Sequence, residues 1–138
     1  MPRPRTVTWL ALAVFLLSAS NLLRAAHVFL NEAYLAQLRL SVSPTYLGLS
    51  GLIWAIVLGA ASAGLWRMRR WARWLTLGAV SLYHLQAWLT RILFEVSADA
   101  RQVWPWQAAV SLLRVGMTWG ILWWPGIRSA FDRETGDG

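Results

Sequence analysis

The chain has 138 residues, 57% of them hydrophobic, and a mean hydropathy of +0.44; it is too apolar for an ordinary soluble domain and too short for more than one domain. Its formal charge is +7, but the basic residues are scattered between apolar runs and form no continuous basic groove, which argues against a nucleic-acid partner. All 13 basic residues are arginine, and with no cysteine in the chain, disulfides, thiolate metal sites and Fe–S clusters are excluded.

In chain order, Met1-Pro-Arg-Pro-Arg5 is a basic flank followed by an apolar run from Val7. Ser18-Ala-Ser20 resembles a signal-peptide cleavage site. The apolar stretch nevertheless continues through Leu22, Leu23, Ala25 and Ala26, giving the ~20 residues of a spanning helix, so an uncleaved first span over about residues 7–26 is expected. Between His27 and Pro44 the apolar residues recur at three and four, an amphipathic helical segment that either prolongs the first helix or lies along the outer surface. Ser43-Pro44-Thr45 ends it, and Pro44 suits the first turn of the next helix.

The second span covers about residues 46–66. Its small residues Gly51, Ala55, Gly59 and Ala63 recur every fourth position, a flat ridge that lets another backbone approach closely. This ridge serves either packing within the chain or an interface with another subunit. The third and fourth spans cover about residues 72–95 and 103–124, with Pro105 in the first turn of the fourth and Pro125-Gly126 ending it. The tail, residues 127–138, is read as polar, frayed and cytoplasmic.

Arg67, Arg69, Arg70 and Arg73 lie between the second and third spans, bracketed by Trp66, Trp71 and Trp74. Arginines are retained on the cytoplasmic side and indoles settle at the headgroup level, so these four set the topology. Arg3, Arg5, Arg128 and Arg133 fall on the same side; Arg24, Arg39, Arg91 and Arg101 fall on the other, near Glu32, Glu95 and Asp99. Both termini are therefore expected inside. The fold expected is all-α: a polytopic membrane protein with four transmembrane helices in an antiparallel bundle.

Candidate chemistry lies among the polar groups that a membrane makes costly. His84, Arg91 and Glu95 share a face of the third span; Gln107, Ser111 and Arg114 share one on the fourth; Arg24 and His27 share one on the first. Turned inward, these stripes would give a polar interior. Arg114 lies near mid-bilayer, where an arginine costs roughly 2.5–3.5 kcal/mol on insertion scales, and no carboxylate of the chain sits at its depth. Snorkelling, a bonded neighbour, a bound anion or a partner's carboxylate would each compensate it. His84, at a similar depth, is read as a bonded structural histidine, a proton relay or a single axial ligand to haem or a chlorin-type pigment. No cofactor and no metal is expected, and no catalytic motif of the kinds that mark hydrolases or nucleotide-binding enzymes is present.

The runs Asn21-Leu-Leu-Arg24, Ser41-Val-Ser-Pro-Thr-Tyr-Leu-Gly-Leu-Ser-Gly-Leu-Ile-Trp54, Gly64-Leu-Trp-Arg67 and Arg70-Trp-Ala-Arg73 resemble a group of small four-span bacterial membrane proteins without an assigned activity. The resemblance covers about two thirds of the chain. It implies the same topology and a prokaryotic inner membrane, and carries over no catalytic residue. The leading expectation is a non-enzymatic accessory or scaffold subunit that packs in the lipid bilayer against other membrane-protein subunits or itself. The alternative is a small transporter or channel-like protein for an anionic or lipidic solute, and a third is a haem- or pigment-binding subunit through His84.

Overall fold

The computed structural model describes residues 4–38, 42–94 and 101–133. Its named elements are α1 (Arg5–Leu30), α2 (Glu32–Gln37), α3 (Pro44–Trp66), α4 (Arg70–Phe94), α5 (Trp104–Trp123) and α6 (Pro125–Arg133), and no strand occurs among the described residues. Arg3, Arg39, Glu95 and Asp99 lie outside them. Two helices, α1 and α3, are long and apolar enough to cross a membrane. With 25 and 20 residues, α4 and α5 also reach about 30 Å or more at 1.5 Å per residue. They are less apolar, because α4 carries Arg70, Arg73, His84 and Arg91, and α5 carries Arg114 and several indoles.

Local chemistry sets the helix ends. Proline occupies the first turn of α3 and of α5, where its missing N–H removes no helical hydrogen bond. Ser43 Oγ accepts from the Tyr46 N–H at 3.2 Å, capping α3. The first helix runs on to Leu30 and breaks at Asn31, whose Nδ2 donates to the His27 carbonyl at 2.8 Å. The short α2 is tied to the start of α3 by Thr45 Oγ1 donating to Glu32 Oε1 at 3.1 Å.

Neighbouring long helices run antiparallel, as the pairing of early with late residues shows. Between α1 and α3, Ser62 Oγ donates to the Ala11 carbonyl at 2.8 Å and Ser18 Oγ to that of Ala55 at 2.6 Å. Such close approach needs small residues. A Cβ on Gly51 would lie 3.1 Å from the Asn21 carbonyl oxygen, and one on Gly59 3.2 Å from Ser18 Oγ. The ridge of small residues thus packs against α1 of the same chain at Gly51, Ala55 and Gly59, while Ala63 is exposed. Between α4 and α5 the contacts form an indole ladder: Trp74 meets Trp123 edge-on, Trp119 Nε1 donates to Ser81 Oγ at 3.0 Å, and Trp88 meets Trp104 edge-on.

The turn between α3 and α4 closes both helix-terminal bonds of a Schellman motif, Met68 N–H to the Leu65 carbonyl and Arg69 N–H to that of Gly64. Met68 adopts φ 53° and buries its side chain. Arg67, Arg69 and Arg70 are exposed, but Arg73 is only 7% exposed, its guanidinium 5.0 Å from the Trp74 ring centroid and 6.0 Å from that of Trp123. Of the four hairpin arginines, it alone is held inside.

The apolar core sits at this arginine-rich end, where Val7, Leu10, Leu58, Leu65, Met68, Leu77 and Leu122 pack together. The tail contributes to it, contrary to the expectation of a frayed polar segment: residues 125–133 form α6, with Ile127 and Phe131 buried. The cause is a pair of apolar residues four apart, which share a face, and a clasp in which Arg70 Nε lies 3.3 Å from Asp132 Oδ1. Residues 134–138 lie outside the described set. At the opposite end packing is looser, and in α5 only Thr118 and Leu122 are buried.

Candidate functional site

Four of the polar residues singled out from the sequence, His84, Arg114, Arg24 and Arg91, fall into two cavities. Both have α1 and α4 as walls; α5 completes one and α3 the other. The larger, about 670 Å³, is lined by Ser20, His84, Arg114, Thr118 and an apolar wall that includes Leu17 and Ile121. Its volume lies in the range of small-molecule sites, roughly 300–1,000 Å³.

His84 is its most informative member. It is 6% exposed, and its Nδ1 lies 2.9 Å from the Val80 carbonyl oxygen. A carbonyl only accepts, so Nδ1 carries the hydrogen and donates it. In the neutral ring Nε2 then presents a lone pair. That nitrogen is buried without a partner, an uncommon state for a polar atom inside a protein.

Arg114, an exposed residue of α5, lines the same cavity, and none of the residues lining the cavity is acidic. The Arg114 carbonyl accepts from Thr118 Oγ1 at 2.8 Å, but its guanidinium has no ion pair among the described residues. The cavity opens sideways. Trp9, Leu16 and Met117 line it and are also among the exposed large apolar side chains, so its rim is an apolar slot between α1 and α5.

The smaller cavity, about 240 Å³, brings together Arg24 and Arg91 with Tyr46, Ser50 and Thr90. Arg91 also lies over the Trp88 ring at 5.6 Å. The other candidates join neither cavity. His27 is exposed, 3.5 Å from Asn31 through Nδ1, so the two histidines do not share a site. Gln107 and Ser111 are half-buried on α5, and Glu95 is outside the described residues. No group of three His, Asp or Glu side chains placed to hold a metal occurs among the described residues.

Sequence reasoning missed Gln86 as an organising residue. Trp54 Nε1 donates to its Oε1 and its Nε2 donates to the Tyr46 hydroxyl at 3.0 Å, fixing the wall of the smaller cavity. A lone glutamine in an apolar helix shows that some partner is needed, but nothing in the local pattern marks the partners on α3. No family model, curated protein or solved structure matches the chain.

Proposed function

We propose that the chain is a multi-pass protein of a prokaryotic inner membrane whose larger cavity holds a lipidic acid, making it a small carrier of such a solute. The topology in this reading has four spans, α1, α3, α4 and α5, with both termini cytoplasmic. Its support is that the arginine hairpin, the start of α1 and α6 gather at one end: Arg70 clasps Asp132, and Pro4 and Thr6 line a common hollow with Gly126 and Ile127. Loop arginines belong inside.

The observation that carries the ligand is the buried, unpartnered Nε2 of His84 in a cavity shared with Arg114. Arg114 supplies a cation for the ionised acid group, and Nε2, an acceptor in the neutral ring, takes a hydrogen bond from a hydroxyl beside that group. The apolar walls take a hydrocarbon chain, and the sideways rim gives access from lipid. Arg114 is ten residues into α5, about 15 Å along the helix, near the midplane where carriers place their solutes.

The test is mass spectrometry of organic extracts from the gently solubilised protein. Wild type should retain an acidic single-chain amphiphile, and Arg114→Leu should lose it, since the substitution leaves the acid unpaired. Arg114→Leu that melts higher and keeps its ligand content would remove Arg114 from the function. Visible absorption from the same preparation would instead favour the pigment reading at His84. An accessory-subunit role is the second reading, favoured by the first half of α5 burying no residue within the chain; a stable larger assembly on native mass analysis would support it.

A further inference from the structure

The smaller cavity has a chemistry distinct from the larger one. Half of its lining is apolar, and its polar half is dominated by the donors of Arg24, Arg91 and Tyr46. The Gln86 amide is committed to Trp54 and Tyr46, and because the Tyr46 oxygen accepts from Gln86, its own O–H remains to donate. Arg24 gives one N–H to Asn21 Oδ1 at 3.0 Å and keeps the rest of its fork. The Arg91 guanidinium carbon lies over the Trp88 ring, 5.6 Å from its centroid, a cation–π contact that commits none of its N–H hydrogens to an oxygen acceptor. Neither arginine has an acidic partner among the described residues, and no residue lining the cavity is acidic.

We propose that this cavity binds a phosphate group, gripped by Arg24 from α1 and Arg91 from α4 with Tyr46 donating from α3. Two forks from different helices suit a tetrahedral group with oxygens on several sides, whereas a planar carboxylate is satisfied by one fork. Arg24, Tyr46 and Arg91 each lie within two turns of a helix end, all at the end opposite the arginine hairpin. In a membrane this is headgroup depth, so the phosphate belongs to a phospholipid or to a soluble phosphoryl compound. The site does not depend on the ligand of the larger cavity.

The experiment uses the full chain in a phosphate-free detergent and compares three probes: phosphatidylglycerol, a galactosyl diacylglycerol with the same acyl chains, and inorganic phosphate. Native mass spectrometry reads the lipids and calorimetry the ion. Preference for phosphatidylglycerol over the glycolipid by about tenfold or more assigns a lipid phosphate, and saturable binding of inorganic phosphate assigns a soluble one. In either case Arg24→Gln and Arg91→Gln should weaken binding about tenfold, while Arg101→Gln, outside the cavity, should not. Arg24→Lys and Arg91→Lys keep the charge without the fork and should lose affinity partially, which decides the matter if a glutamine variant does not fold. Equal retention of the two lipids without binding of inorganic phosphate would overturn the proposal. So would wild-type affinity in all four cavity variants, or an equal loss in Arg101→Gln.

Discussion

Met68 is a methionine where a helix ending of this kind usually takes glycine. Its left-handed backbone, φ 53°, costs an L-residue about 1–2 kcal/mol, and the compensation is a side chain buried against the core at the arginine end. Truncation separates the two effects. Met68→Ala loses the packing, worth about 2–5 kcal/mol, and keeps the strain; Met68→Gly loses the same packing but relieves the strain. Both variants should melt below wild type, with Met68→Gly above Met68→Ala. The reverse order would mean that the turn is not strained. Arg73 makes a related point: the sequence offers its charge only as a topology expectation, whereas its burial between indoles follows from where α5 ends, which no local pattern encodes.

At the scale of elements, small residues matter because they set how near two backbones come. A Cβ on Gly64 would sit 2.5 Å from the Ala72 Cβ and 2.8 Å from Trp71 Cη2, both held by the same tight hairpin. Gly64→Ala should therefore lower thermal stability, by about 1–3 kcal/mol for overpacking. Ala63→Leu, one residue away and exposed, should be close to neutral. Equal tolerance of both, read by a melting curve, would contradict the packing of α3 on α4. The helices themselves were legible, because long apolar runs and the prolines at positions 44 and 105 mark them locally. Which stripes meet was not. Periodicity placed His84 and Arg91 on one face of α4, yet His84 lines the cavity completed by α5 and Arg91 the one completed by α3. A helical face says which side chains point together and nothing of which neighbour they meet along its length. The amphipathic α6 was missed because its apolar pair, Ile127 and Phe131, is too short a signal to outweigh the polar residues around it.

For the whole molecule, a closed arginine-rich end and a looser opposite end give the proposed carrier its polarity. Because the chain has no cysteine, single cysteines report topology cleanly. Gly126→Cys should be labelled from the cytoplasm only, and Ala36→Cys and Gln102→Cys from outside only; labelling of Gly126 and Gln102 from one side would contradict four spans. The proposed function is tested most directly by equilibrium binding of a long-chain fatty acid and the fatty alcohol of equal length. Wild type and Arg114→Leu would be compared in one detergent. An acid held by Arg114 predicts that wild type prefers the acid by about tenfold, the size of one charge-assisted hydrogen bond, and that Arg114→Leu binds the two alike. Equal binding of acid and alcohol by wild type, or an undiminished preference in Arg114→Leu, would contradict it.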